Sequence, residues 1–420
     1  MATARTRTRC IDRLSTIATS ACQLEELRLE LVDELRRAIG FDRFCVLLAD
    51  PDTLMEHRGL GGNDWRSEVP TLNLNTGRQA DVNSLATLIR RRDPVGSLRA
   101  ATGGDPARSE RWREVYSRYG VGDELRTAAV DKHGCWGEVF MFRSSDDRPF
   151  DTDDAQLMSA ASSIIAATLR AGQVAPVHAG DPTPAEVGVL VLDDHLRLSG
   201  FTPAARAWCE ALNPNRVRFA DGIPSAIWNV VGRLLGAEHG VCPQLSPCVR
   251  MRARDGSWGV VEAARLQGEG TGIVVTMRQA SSLEVLGLVS RAHALSPREC
   301  QVLALLLAGS RRNETAERLS ISRYTVEDHV KSILGKVGVR SRRELVTGVF
   351  GQATYDVDAP PATARAEAGG ELDDGTRVQP PAEREVFLRH LAELLGAPAR
   401  SSPAAGRMPS VASHPDDGGA

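Results

Sequence analysis

The stretch from residue 295 to 350 constrains the fold of this chain most, because it carries the start and stop signals of several short helices. Ser296 and Glu299 form a capping box at the start of the first helix. Apolar residues then recur at helical spacing until Gly309 ends the run. This pattern predicts the first of four short helices.

Three further helices follow in the same stretch. Asn313 is the predicted cap of the second helix, Ser322 of the third and Ser341 of the fourth. Only a short turn separates the second helix from the third, so the pair makes a helix-turn-helix pattern. The third helix can lie in the major groove of DNA if its polar side faces outward and partner helices hold its apolar side.

The same stretch is basic within an acidic chain. Residues 296–350 contain ten Lys/Arg and six Asp/Glu, whereas the full sequence has a net charge of −3. A basic island of this kind is the electrostatic footprint of local DNA binding. Polar side chains on the third helix and basic ones near helix ends are the candidates for base and phosphate contacts. The predicted DNA-binding residues are Arg311, Arg312, Asn313, Ser322, Arg323, Tyr324, Thr325, Glu327, Asp328, Lys331, Lys336, Arg340 and Arg342.

These motifs resemble the C-terminal helix-turn-helix of LuxR-type transcriptional regulators. The resemblance is carried by LSPRE at 295–299, NETAERL at 313–319, IS-x-x-TV-x-x-HV at 321–330 and V-x-SR-x-EL at 339–345. It implies a DNA-binding domain at 295–351 that binds a two-fold operator in double-stranded DNA as a homodimer. It also implies that part of the dimer contact lies on the fourth helix, near Leu345–Phe350.

Two positions depart from the family pattern. An aliphatic residue is usual where Thr315 stands, and a basic one is usual where Glu327 stands. Together with Asp328, Glu327 makes the reading side of the third helix acidic. A carboxylate can accept a hydrogen bond from cytosine N4, so the change fits an altered operator sequence. It also leaves open an alternative, a ligand-sensing or protein-docking scaffold with little intrinsic DNA affinity.

Residues 11–170 follow the order helix, hairpin, loops with helices, hairpin, helix, which predicts an antiparallel sheet with helices on one face. Residues 59–80 are rich in Gly and Asn and predict a loop. The segments at 40–50, 137–143 and 149–162 resemble a GAF domain, a module that commonly holds a small molecule. The candidate pocket residues, each with core packing as the alternative, are Trp65, Trp112, Tyr116, Tyr119 and His133.

The middle of the chain predicts a second sheet. Residues 171–185 are rich in Ala, Pro and Gly and predict a linker. Residues 186–280 show strands and helices in an order similar to that of a PAS-type sensor, although Phe201 stands where such domains often have Asn.

Two further segments complete the predicted organisation, a multidomain α+β chain. Residues 281–294 predict a helix that connects the sensor regions to the DNA reader. The composition of residues 352–420 predicts a mostly disordered tail, with one possible helix at 382–395.

Several functional classes are not expected. No run of about 18 apolar residues occurs, so we expect no membrane span. The eight cysteines show no CxxC spacing, which is typical of reduced thiols in a cytoplasmic protein. Motifs of common enzyme and metal sites are missing, so we expect neither an enzyme nor a bound metal or cofactor. The sequence therefore predicts a transcriptional regulator whose sensor modules respond to a small molecule or partner protein, with RNA polymerase as a further partner.

Overall fold

The computed structural model describes most of the first 350 residues. The described residues are 4–20, 24–61, 68–175, 182–213, 223–241, 245–267 and 272–350. The predicted tail, the predicted helix at 382–395 and Trp65 lie outside them. No helix among these residues is long and apolar enough to cross a membrane.

The N-terminal region is built on one antiparallel sheet of five strands, in the order β2-β1-β5-β4-β3. Its strands are β1 (Arg43–Asp50), β2 (Met55–Gly61), β3 (Val95–Ser97), β4 (Val121–Asp131) and β5 (Gly134–Ser144). Its helices are α1 (Ala4–Ile17), α2 (Leu24–Ile39), α3 (Val69–Arg78), α4 (Leu85–Leu88), α5 (Leu98–Ala101), α6 (Glu110–Glu114) and α7 (Thr152–Val174). Short 3-10 turns lie at Pro106–Arg108 and Tyr116–Tyr119. The two predicted hairpins and the last helix are present.

Two local predictions for this region were wrong. Residues 59–80 are not all loop, because α3 forms there with a proline in its first turn. Helices also pack on both faces of the sheet: α7 covers one, while Leu85 and Leu88 of α4 pack with Ala49 and Ala128 on the other. In addition, α7 continues to Val174, into the segment predicted as a linker.

The middle region repeats the same strand order in a second five-stranded sheet, β7-β6-β10-β9-β8. Its strands are β6 (Gly188–Leu192), β7 (Leu198–Phe201), β8 (Cys248–Arg252), β9 (Trp258–Arg265) and β10 (Ile273–Gln279). Its helices are α8 (Pro203–Ala211) and α9 (Ser225–Glu238). Trp208, Val230 and Val275 are buried in the core between this sheet and its helices.

Helix α9 joins the two sheet regions. It packs on α3 so closely that a Cβ at Gly77 would lie 2.3 Å from the Asn229 carbonyl oxygen, so only glycine fits there. The Arg233 side chain donates hydrogen bonds to the carbonyl oxygens of Thr53 and Leu54, at 3.1 and 3.2 Å. Because the Arg233 side chain is completely buried, the two regions are tied by specific polar contacts as well as by apolar packing.

The C-terminal region is helical. Helix α10 (Ser282–Ala292) occupies the predicted connector and begins with a capping box. It is followed by α11 (Pro297–Leu307), α12 (Arg312–Leu319), α13 (Arg323–Val337) and α14 (Arg342–Glu344). The last of these is a single turn that continues as a π-helix at Leu345–Val349, so the predicted fourth helix is only partly α-helical.

Candidate nucleic-acid interface

The helix-turn-helix pair consists of α12 and α13. Ser320, with φ of 53°, ends α12, and the hydroxyl of Ser322 caps α13 by accepting a hydrogen bond from the Thr325 amide at 3.0 Å. Ser322 was predicted as this cap, and the structure confirms it. Asn313 was predicted as the cap of α12, but that helix already begins at Arg312, so Asn313 lies in its first turn.

Helix α13 separates its side chains into an inner and an outer side. Val326 and Ile333 are fully buried against α11 and α12. Tyr324, which is 80% exposed, lies with Asp328 and Lys331 on the outside. The outer side of α13 is therefore accessible, as the sequence predicted.

Glu327 lies between two of the predicted DNA-binding arginines. Its Oε1 is 3.5 Å from Arg323 Nε and 3.7 Å from Arg312 Nη1. The carboxylate therefore brings an arginine of α12 and an arginine of α13 together. Of the other predicted residues, Arg311, Asn313, Ser322 and Arg340 are exposed, and Thr325 is half-buried.

Lys336 and Arg342 have structural partners inside the helical region that sequence reasoning missed. Lys336 Nζ lies 2.6 Å from Glu299 Oε2, and Ser332 donates a hydrogen bond to the other oxygen at 2.6 Å. Partial burial acts against ionisation, but these hydrogen bonds prevail and lower the pKa of Glu299 to about 2. Arg342 donates to the Leu306 carbonyl oxygen at 2.9 Å.

The C-terminal π-helix lies against the middle region. Trp258 Nε1 of β9 donates a hydrogen bond to the Val349 carbonyl oxygen at 2.9 Å, and Arg252 Nη2 of β8 donates to the Gly348 carbonyl oxygen at 2.8 Å. Phe350 is only 1% exposed. The segment to which the family resemblance assigned a dimer contact is therefore largely buried within one chain. No local sequence signal shows these contacts, because their partners lie about ninety positions apart.

Two family models match the chain. Residues 293–349 match bacterial regulatory proteins of the luxR family, and residues 23–169 match the GAF domain. The region between them lies outside both matches, so the PAS-like assignment stays a prediction. A comparison with curated proteins finds no match.

Solved structures show only distant similarity. The GAF domain/HD domain protein from Geobacter sulfurreducens has 15% identity and a TM-score of 0.25, over 36% of this chain and 97% of that chain. A ligand and DNA complex of Vibrio cholera VqmA has 20% identity and a TM-score of 0.18, over 40% and 83%. Bacteriophytochrome RpBphP3 from R. palustris has 13% identity and a TM-score of 0.27, over 65% and 63%. These similarities are too distant to support a functional statement. From the family matches, the chain contains a luxR-family helix-turn-helix domain at 293–349 and an N-terminal GAF domain at 23–169.

Proposed function

We propose that this protein is a sequence-specific DNA-binding transcription regulator whose N-terminal region responds to a small molecule or a partner protein. The observation that carries the proposal is the accessible outer side of α13, where Arg323, Tyr324 and Lys331 are exposed. A helix held by its apolar side and polar on the other fits the major groove, where base edges are read. The arginines at the start of α12 are placed to contact phosphates.

The proposal includes several finer statements. The protein acts in the cytoplasm. It binds double-stranded DNA as a homodimer, because helix-turn-helix domains bind paired half-sites one helical turn apart. RNA polymerase is a further partner. The protein performs no catalysis and requires no metal or cofactor, since each of its proposed steps is a binding step.

The alternative is a sensing or docking scaffold whose helical domain has lost DNA affinity. Its support is the acidic pair Glu327 and Asp328 on α13. The ion pairs of Glu327 with Arg312 and Arg323 weaken this support, since they neutralise the carboxylate within the domain. Half-exposed pairs of this kind contribute about 0–1 kcal/mol, so both arginines can exchange to DNA at little cost.

The test is selection of bound double-stranded DNA from a random pool by the full chain. Affinities for the selected site are then measured for Arg323→Ala and Lys331→Ala, with Lys132→Ala as a matched control on the exposed β4–β5 turn. We expect the first two variants to bind roughly 5- to 100-fold more weakly, which corresponds to about 1–3 kcal/mol. The control should bind like the parent, and affinity should fall steeply with salt.

Two results would contradict the proposal. Selection that enriches no sequence at low salt would favour the scaffold. Parent-like affinity of both α13 variants would remove that helix from the interface.

A further inference from the structure

The sheet of the GAF domain carries two buried glutamates on the face opposite α7. Gly137 lies against α7, because a Cβ there would be 2.6 Å from a leucine methyl group of that helix. Neighbouring side chains in a strand point to opposite faces, so Glu138 points away from α7. Glu138 pairs with Leu47 across β5 and β1, and Glu56 pairs with Ala49 two residues along β1. Glu56 and Glu138 therefore share one face.

A third glutamate on this face, Glu124, has hydrogen-bond donors on both of its carboxylate oxygens. Glu124 Oε2 accepts hydrogen bonds from Arg111 Nε and Nη2, at 3.1 and 2.6 Å. Glu124 Oε1 accepts one from the Tyr116 hydroxyl at 2.9 Å. Tyr116, a candidate pocket residue from the sequence, thus lies within the cluster.

Glu56 and Glu138 each have a hydrogen-bond donor on only one of their two carboxylate oxygens. Arg126 Nη2 donates to Glu138 Oε2 at 2.9 Å, and Gln79 Nε2 donates to Glu56 Oε1 at 3.4 Å. Among the described residues, Glu138 Oε1 and Glu56 Oε2 have no hydrogen-bond partner, although both side chains are completely buried. A buried acceptor without a donor costs about 1–3 kcal/mol, and a charged one costs more. These two acceptor oxygens lie on one face with the Arg126 Nε donor, which also lacks a partner, so the described residues leave this polar cluster incomplete.

The charges of the cluster do not balance. Arg111 pairs with both Asp81 and Glu124, which leaves one negative charge on this triad. Arg126 balances Glu138, and the guanidinium of Arg233 on α9 acts on Glu56. With its four carboxylates ionised, the whole cluster therefore has a net charge of −1.

This excess negative charge favours protonation of the buried glutamates. Burial raises the pKa of Glu138 to about 7; Arg126 opposes the shift, and the nearby charge of Glu56 adds to it. Burial also raises the pKa of Glu56. Below about pH 7 a proton on Glu138 therefore neutralises the cluster, and a bound cation would replace that proton.

We propose that Glu56 and Glu138 bind a small organic monocation with N–H donors, of the amine, amidine or guanidine class. A divalent metal fits less well, because Ca²⁺ takes six to eight oxygen ligands and Mg²⁺ six, whereas two carboxylate oxygens lack partners here. The same carboxylates would repel an anionic ligand. This inference rests on the proposed function in one respect: that function makes the bound cation the effector of the regulator.

The site has a physical connection to the rest of the chain. The Asn229 side chain of α9 donates a hydrogen bond to the Glu56 carbonyl oxygen at 2.8 Å. A ligand that draws the Glu56 side chain toward Glu138 therefore acts on a strand that the middle region holds.

The test uses methylguanidinium and acetamidinium as probes, with urea and acetate as neutral and anionic controls. Binding to the full chain is measured by equilibrium dialysis and by the shift in thermal unfolding. We expect both cations to bind with dissociation constants on the order of millimolar, as befits such small ligands, and the controls not to bind. Glu56→Gln and Glu138→Gln should each weaken binding at least about tenfold, while Glu30→Gln on the exposed side of α2 should not. Binding should be tighter at pH 8 than at pH 6.

Several outcomes would overturn the inference: no binding of either cation, equal binding to the Gln variants, or stabilisation by Mg²⁺ or Ca²⁺ alone. Circular dichroism and affinity for selected DNA show whether the variants fold. DNA binding by the parent chain without a probe tests the proposed function separately, so failure of one does not imply failure of the other.

Discussion

At the scale of single residues, Glu299 and Glu138 respond to pH in opposite directions. Glu299 meets donors on both oxygens, whereas Glu138 has a donor on one and lies near another buried carboxylate. Ionisation is therefore favoured in the first and disfavoured in the second. Each consequence can be measured as a dependence of stability on pH.

Glu299→Gln should destabilise the helical domain much more at pH 6 than at pH 2. Because the folded pKa of about 2 lies below the ordinary value of 4.5, ionised Glu299 stabilises the fold above pH 4.5. This contribution is lost as pH falls through about 2. We expect a loss of about 1.5–3 kcal/mol at pH 6, typical of charge-assisted hydrogen bonds. Thermal unfolding followed by circular dichroism measures it, with exposed Glu314→Gln as the control. A difference that persists undiminished at pH 2 would contradict the assignment.

Glu138→Gln should have the reverse profile in the ligand-free protein. Its folded pKa of about 7 lies above the ordinary value of 4.5, so its favourable contribution is complete below pH 4.5 and is lost as pH rises through about 7. We expect the parent to lose stability between pH 5 and pH 8 and the Gln variant to lose less. Urea unfolding followed by tryptophan fluorescence measures this, since Trp136 is buried two positions away. Parallel pH profiles for the two proteins would show that Glu138 remains ionised throughout.

At the scale of elements, the π-helix Leu345–Val349 is held by donors from another region. Trp258→Phe replaces the indole by a smaller aromatic ring and removes the hydrogen bond to the Val349 carbonyl oxygen. We expect a loss of about 1 kcal/mol and therefore roughly fivefold faster hydrogen exchange in this segment. Gly348→Ala is the control: no atom lies within 4 Å of its added Cβ, so it should not speed the exchange. Unchanged exchange in Trp258→Phe would mean that apolar packing alone holds the segment.

Elements defined by local signals were predictable from the sequence. Ser296, Ser322 and Ser341 cap their helices as predicted, because a cap depends on residues within one turn. The helix α3 was not predictable, because its buried residues include Asn73, Asn75 and Gly77 and carry no apolar periodicity. It forms against α9, which lies far away in sequence.

The same distinction applies to the candidate interface. The exposed side of α13 followed from the spacing of its apolar residues. The partner of Lys336 could not be predicted, because Glu299 lies 37 positions earlier and is itself a capping residue. Likewise, the half-satisfied pair Glu56 and Glu138 depends on strand register, which the spacing of single strands does not determine.

At the scale of the whole molecule, the turn between β1 and β2 connects three regions. Arg250 of β8 forms an ion pair with Asp50 at 2.5 Å and with Asp52 at 2.5 Å. Asp52 also pairs with Arg291 of the connector helix α10. The Arg250 side chain donates a further hydrogen bond to the Glu284 carbonyl oxygen of α10 at 2.6 Å. Because Glu56 follows directly in β2, the proposed cation site adjoins the contacts that reach the connector helix α10.

Removing one partner of this contact should cost more than removing both. Asp50 is completely buried, so Arg250→Met leaves its charge without the guanidinium, and we expect a loss of about 3–5 kcal/mol. The double variant Asp50→Asn with Arg250→Met should lose less than the sum of the two single variants, by about 0.5–3 kcal/mol. Unfolding by urea measures all four corners of this cycle. The exposed pair Arg318 and Glu314 provides the comparison, with an expected coupling below about 1 kcal/mol. Additive losses at Asp50 and Arg250 would mean that this contact does not couple the regions. A signal from Glu56 would then have to pass through α9 instead.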